Sequence, residues 1–348
     1  MCTWSSARDT RVEGEDEMSA KFPVFIVGAQ RSGTTLLRMV LNAHSEIAIP
    51  EEARFLMPLL EQRHLDAGFH GEDYSKLVSF LRASEEFGLW NYDSGPFFTD
   101  LEARTGIGLV ELMDGLYGSF AQGEGKRYWG DKSLFFRRID ILACMFPQGS
   151  FIHIVRDGRD VFDSWRKMDA SKDCAPAAAL DWRLKLNLIE RAFARLPADR
   201  TLTIRFEDLL VNAEAVARST CDFLGVDYEE GMLDFHQKSR RYVGDHHSQL
   251  IFKPIESGNQ SKWRKNLSHT EKVAFDLVAG RQLDRYGYGR SDEACSIGDC
   301  AGVLLGLGGG GLRRARDVIR DAFERRKALK TGTAPSSIKV GAKPSERS

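Results

Sequence analysis

The sequence predicts an α/β domain of three layers, with a central parallel sheet flanked by helices. Three observations predict it. From Phe22 to about Arg290, short apolar runs alternate with longer stretches of helical periodicity; strands separated by helices pair in parallel, under cover on both faces. The first apolar run leads straight into a glycine-bearing loop and then a helix with one apolar face. The 348 residues, 42% apolar and 28% charged, suffice for one large core.

The strand candidates are Val24–Val27, Ile47–Ile49, Ser150–Val155 and Leu202–Phe206. Helical patterns cover Thr35–Asn42, Asp160–Met168, Ala177–Leu196, Ala213–Leu224 and Thr270–Leu283. Leu224-Gly225 reads as a helix stop, and Ser268 with Glu271 as a capping box opening the last helix. Residues 1–20 read as a disordered lead, 21–290 as the folded domain and 291–348 as an appendage. The appendage holds a glycine-rich segment (Gly302–Gly311), a basic helix and a Ser/Lys tail; Arg313–Lys330 carries eight basic and three acidic residues. Val318, Ile319, Ala322, Phe323 and Leu329 fall near one face of that helix. It reads either as a solvated appendage or as a membrane-surface or partner-binding helix.

A formal net charge of −1 gives no electrostatic case for nucleic acid. The N-terminus lacks the apolar core of a secretory signal, and no window offers the roughly 18 apolar residues of a membrane span. A cytoplasmic protein is expected. Cys144 and Cys221 sit in apolar helical patterns and read as buried, whereas Cys295 and Cys300 read as two free thiols, or as a bridge in an oxidising compartment. His246-His247 has no third ligand at metal spacing, so no metal is expected.

Gly28-Ala29-Gln30-Arg31-Ser32-Gly33-Thr34-Thr35 follows the first strand. Gly28 permits the sharp exit, and Gly33 lets backbone N–H groups approach an anion. The helix N-terminus adds partial positive charge, and Thr34 and Thr35 add hydroxyl donors. The loop is P-loop-like in its glycine spacing, but Thr34 occupies the Walker lysine position and Arg31 is its cation. The missing lysine weighs against a kinase. A second candidate phosphate site follows the strand at 150–155, where Arg156 leaves the carboxyl end. Ser164 lies eight residues on, so a guanidinium fork and a hydroxyl can converge on one phosphate. His153, inside the strand, reads as core. Glu51 and Glu52 read either as first-turn helix acids or as a base at the sheet's carboxyl edge.

Together these motifs resemble those of sulfotransferases that use 3′-phosphoadenosine 5′-phosphosulfate (PAPS), above all the protein-tyrosine sulfotransferases and related bacterial enzymes. The resemblance implies that Arg31, Ser32, Gly33, Thr34 and Thr35 hold the 5′-phosphosulfate, and that Arg156 and Ser164 hold the 3′-phosphate. Arg205-Phe206-Glu207-Asp208-Leu209 is similar to a family Tyr-Glu-Asp-Leu segment, with Phe206 in place of the Tyr. Met168 stands where the tyrosine enzymes carry a basic residue, with Arg166 as a candidate substitute. Phe252–Ile255 and Ser261–Trp263 resemble a late cofactor-binding stretch, which implicates Lys253 and Lys262. Pro50-Glu51-Glu52-Ala53-Arg54 resembles the family's Glu-Glu-x-Arg segment and implies Glu52 as general base with Arg54 orienting it. Lys132 and Arg31 are implied to stabilise the transition state, joined by Ser248 or the adjacent His247. The implied co-substrate is PAPS, without metal, and the acceptor is a hydroxyl of a tyrosine, sugar, glycolipid or small alcohol. Segments 64–128 and 226–247, with Phe87, Trp90, Tyr92, Phe97 and Phe98, are expected to shape its cleft. The competing possibilities are a catalytically silent nucleotide-binding scaffold and an atypical P-loop kinase.

Overall fold

The computed structural model describes residues 20–61, 68–133, 135–169, 172–238, 252–256, 258 and 260–333, with the backbone alone at 238, 311–315, 317 and 318. The lead before residue 20, the terminal Ser/Lys tail, His246, His247 and Ser248 fall outside these residues.

Seven strands are described: β1 (Val24–Val27), β2 (Ile47–Ala48), β3 (Phe69–His70), β4 (Gly106–Ile107), β5 (Tyr128–Asp131), β6 (Ser150–Val155) and β7 (Thr201–Arg205). Five form one sheet in the order β2-β5-β1-β6-β7, every neighbour parallel, while β3 and β4 make a small antiparallel ribbon. The apolar runs of β1 and β6 feed two cores at once, because successive side chains point to opposite faces. Phe25, Val27 and Phe151 enter one core, and Val24, Ile26, Ile152 and Ile154 the other. Periodicity missed β3 and β4 of the ribbon and, in the main sheet, β5. Its four residues include a glycine and an aspartate, and a run so short carries no alternation.

Five helices matter for the site: α1 (Thr34–Asn42), α2 (Gly158–Arg166), α3 (Ala175–Phe193), α4 (His269–Arg285) and α5 (Ile297–Thr331). The Ser268–Glu271 capping box opens α4, and Gly225 ends the Ala213–Leu224 helix at φ 73°. His153 is buried against Phe193 and Tyr286, and burial pushes its pKa down to about 3, as suits a packed neutral ring.

Some expectations change. Cys144 is exposed, because the Ile139–Met145 helix buries Ile139, Leu142, Ala143 and Met145 and turns Cys144 outward; Cys221 is buried. Cys295 and Cys300 are free, with Sγ atoms 3.6 Å apart. The glycine-rich segment is not separate from the basic helix: it lies in the first half of the continuous helix α5. A Cβ on Gly306 would come within 2.8 Å of Pro176, and one on Gly310 within 2.7 Å of Ala177, so the glycines let α5 lie close against the start of α3. Phe87, Phe97 and Phe98 form an edge-to-face core cluster rather than a cleft wall.

Candidate active site

In a parallel sheet every strand ends on the same edge, so residues that follow the strands gather there. Read in sheet order, β2 leads to Glu51 and Glu52, β5 to Lys132, β1 to the Gly28–Gly33 loop, β6 to Arg156, and β7 to Phe206 and Glu207. Glu51, Glu52 and a lysine occupy one half of that row, and arginines beside a glycine cradle, with Glu207 at the far end, the other.

The cradle is tightly built. Gly33 caps α1 at φ 95°, and a Cβ there would fall 2.2 Å from the Phe206 ring. Arg31 adopts φ 70°, a left-handed conformation that costs a non-glycine residue about 1 kcal/mol. Its Nε donates to Ser164 Oγ at 3.1 Å, while Arg156 donates to the Arg31 carbonyl at 3.2 Å. Burial, and then the Arg156 charge, push the Arg31 pKa down; burial does the same to Arg156 against the pull of Asp160, Glu207 and Asp157. Two guanidiniums side by side at a helix N-terminus, Arg156 buried and Arg31 half-buried, favour an anion between them. Ser32 Oγ is buried with no hydrogen-bond partner among the described residues, a donor awaiting an acceptor. Phe206 cannot supply a tyrosine's hydrogen bond. Instead its ring lies 4.6 Å from the Arg156 guanidinium, which it orients by stacking.

Several braces had no motif to announce them. Lys185 on α3 donates to Gln30 Oε1 at 2.6 Å and pairs with Asp181 at 2.8 Å. Asp160 accepts from the N–H groups of Ser261 and Trp263 at 2.7 and 2.8 Å, which brings Lys262 to the first turn of α2. Lys262 and Lys253 are both exposed, and Lys253 makes no hydrogen bond or ion pair among the described residues. Arg159 is fully buried in a two-pronged bond to Asp157, so Arg156 alone of that pair faces the loop. Arg166 does not stand in for Met168: it is committed to Glu271 at 2.7 Å and to the Asn266 carbonyl at 2.6 Å, while Met168 is exposed. Thr34 and Thr35 are half-buried at the start of α1.

The other half of the row separates the two glutamates. Glu51 is buried in a 2.8 Å ion pair with Arg38. Glu52, more open, receives Lys132 Nζ at 2.7 Å on one oxygen and Arg54 at 3.3 Å on the other. Arg54 also reaches Glu86 at 3.2 Å, and Glu86 accepts the Phe55 N–H at 2.9 Å. From α5, Arg325 donates to the Arg54 carbonyl at 2.8 Å. Behind Lys132, Asp131 accepts from Tyr117 at 2.6 Å and from the Ser133 hydroxyl and N–H at 2.7 Å, and the Ser133 hydroxyl accepts the Ala53 N–H at 2.7 Å. The Glu52 loop thus hangs from β5 by a buried chain of hydrogen bonds. Glu86 and Arg325 lay far outside any segment that sequence spacing ties to Glu52.

Burial raises the Asp131 pKa to about 6. A carboxyl whose pKa is raised on folding stabilises the fold below its unfolded pKa, and that contribution fades as pH rises from about 4 to about 6. Asp131→Asn keeps the shape without the charge. In urea melts, the stability of the variant relative to wild type should therefore climb by on the order of 2 kcal/mol between pH 4 and pH 7. A pH-independent difference would show that Asp131 does not titrate there.

Beside Glu51 and Pro50 opens a cavity of about 510 Å³ that Trp90, Phe120, Lys126 and Gln237 also line. It draws on both segments expected to shape an acceptor cleft, but among the five named aromatics only Trp90 lines it. Among the described residues, no His/Cys/Asp/Glu cluster is arranged to hold a metal, and no helix is long and apolar enough to cross a membrane.

Comparison with known proteins identifies the family. The profile described as "Sulfotransferase family" matches residues 23–230, which include the cradle, Glu52, Lys132, Arg156 and Ser164. Protein-tyrosine sulfotransferase 2 of Gallus gallus is 26% identical over 239 residues, covering 66% of this chain and 55% of that protein. Protein-tyrosine sulfotransferase 1 of Danio rerio is 25% identical over 290 residues, covering 76% and 72%. The chain thus spans little more than half the length of the first relative. The sulfotransferase domain of the Synechococcus PCC 7002 olefin synthase superposes with a TM-score of 0.54 at 25% identity, covering 80% of this chain and 100% of that one. The sheet, its P-loop-like first turn and the matched profile place the chain in the sulfotransferase family.

Proposed function

We propose that the protein transfers the sulfuryl group of PAPS to an acceptor hydroxyl, with Glu52 as general base. The observation that carries this is the convergence of Arg31, Arg156 and Ser164 on a glycine cradle without a Walker lysine. A lone phosphate loop suits many nucleotides; a second buried arginine beside it suits one with an additional phosphate. The orphaned Ser32 hydroxyl and the crowded guanidiniums fit such an anion. PAPS supplies an activated sulfuryl group and a bisphosphate leaving group. Ser32, Gly33, Thr34 and Thr35 would hold its 5′ end, Arg156 and Ser164 its 3′-phosphate, and Lys253 and Lys262 the open side. Arg31, bonded to Ser164 and through its carbonyl to Arg156, ties the two anion sites together.

Glu52 takes the acceptor proton. Lys132 and Arg54 keep it oriented, and Lys132 also stands ready for charge that grows on the sulfuryl oxygens. Fixed cations do this work as they do in phosphoryl transfer, by positioning and electrostatics. The acceptor is a hydroxyl of a tyrosine, sugar, glycolipid or small alcohol. Tyrosine is the first to try, because both curated relatives above are named for it.

Two measurements test this. Without Mg²⁺, adenosine 3′,5′-bisphosphate should raise the melting temperature far more than ATP or 5′-AMP; equal shifts would remove the case for a second phosphate site. Incubation with labelled PAPS and phenolic, sugar and lipid acceptors should label at least one class.

A further inference from the structure

The outward face of α5 carries Ile297, Leu304, Leu305, Ile319 and Phe323, each between 65% and 90% exposed. At 3.6 residues per turn and 1.5 Å per residue these five fall within an arc of about 100°, along about 40 Å of the helix. Its inward face is already occupied. Val303 and Ala328 are buried, Gly306 and Gly310 touch the start of α3, and Arg325 holds the Arg54 carbonyl. The helix is therefore fastened along the body of the protein with its apolar stripe turned away. Scattered exposed leucines need no explanation, but five large apolar residues aligned on one helix do.

We infer that α5 docks the protein on an anionic membrane surface, lying in the plane of the bilayer without crossing it. The charge pattern selects this occupant. The whole chain has a net charge of −1, yet Arg313–Lys330 carries eight basic residues against three acidic ones. Arg316, Arg320, Arg326, Lys327 and Lys330 are exposed around Ile319 and Phe323. A second copy meeting this stripe in parallel would oppose basic half to basic half; in antiparallel it would set cations on Ile297, Leu304 and Leu305. Anionic headgroups and the acyl boundary beneath them accept both halves at once. The surface is independent of the proposed chemistry, since no residue on the stripe belongs to the active-site row.

The test is sedimentation of the full chain with vesicles of phosphatidylcholine, alone or mixed with phosphatidylserine. Binding is expected only to the mixed vesicles and should weaken as salt rises. Ile319→Ser combined with Phe323→Ser should reduce partitioning at least about tenfold. Lys327→Gln and Lys330→Gln should each reduce it about fivefold. The variants must keep the wild-type melting temperature and its shift with adenosine 3′,5′-bisphosphate, so that lost binding is not lost folding. No binding to the mixed vesicles, or binding that these substitutions leave unchanged, overturns the inference. So does a concentration-dependent dimer in gel filtration that the Ile319/Phe323 variant abolishes without any vesicle binding, because the stripe would then face a second copy.

Discussion

On the proposed function, Arg31→Ala should strip most of the stabilisation of the protein by adenosine 3′,5′-bisphosphate and leave the unliganded fold intact. In the free protein Arg31 is under stress from two sources: its left-handed backbone, and a half-buried charge beside Arg156. Removing the side chain relieves the charge and exposes no core, so the apo melting temperature should hold or rise. Binding answers differently. A charge-assisted hydrogen bond to a buried anion contributes about 1.5–3 kcal/mol, a factor of roughly 10 to 150 in Kd, and Arg31 also links the loop to Ser164. Arg156→Ala should lose the same ligand shift and also leave Asp160 and Glu207 with less positive charge nearby, so its apo stability should fall. Thermal melts with and without ligand read both numbers. An Arg31→Ala protein that still binds would show the anion lies elsewhere.

Glu52→Gln is expected to retain ligand binding and lose transfer by a factor of about 10² to 10⁴, the usual worth of general base catalysis. The amide keeps the size of the side chain but cannot take a proton. Glu51→Gln should do something else, because Glu51 neutralises a buried Arg38. Breaking such a pair costs roughly 3 kcal/mol of stability, so this variant should melt early yet turn over while folded. Transfer assays below the melting temperature, beside melts of each variant, separate the roles. Activity that survives in Glu52→Gln and disappears in Glu51→Gln would exchange them.

Much of the nucleotide half was legible because local chain geometry dictates it. A buried strand, two glycines at fixed spacing and a helix start can be read from Val24 to Leu41 without knowing what packs on them. Arg156 and Ser164 were legible for the same reason: the helix that follows the strand end carries the hydroxyl about two turns on, one turn beyond Asp160. The proton half was legible only in its residues. Nothing local placed Glu52 against Lys132, because that contact needs β2 and β5 to be neighbours, and β5 is too short to show a period. Glu86, Lys185 and Arg325 act from distant helices, and their partners are fixed by tertiary packing alone. The cleft expectation failed at Phe87, Phe97 and Phe98 because a cluster of aromatics reads alike whether it lines a pocket or fills a core.

The row of residues along the sheet edge is not held evenly. Arg31 and Arg156 spring from β1 and β6, which pair along four consecutive residues in the interior of the sheet. Glu52 follows β2, a two-residue edge strand, and owes its place to a set of side-chain tethers: Ser133, Arg54 with Glu86, and Arg325. On the proposed function, the Glu52 end would be the adjustable one, since its tethers can be replaced one at a time while the arginine end, built into the sheet interior, stays as it is.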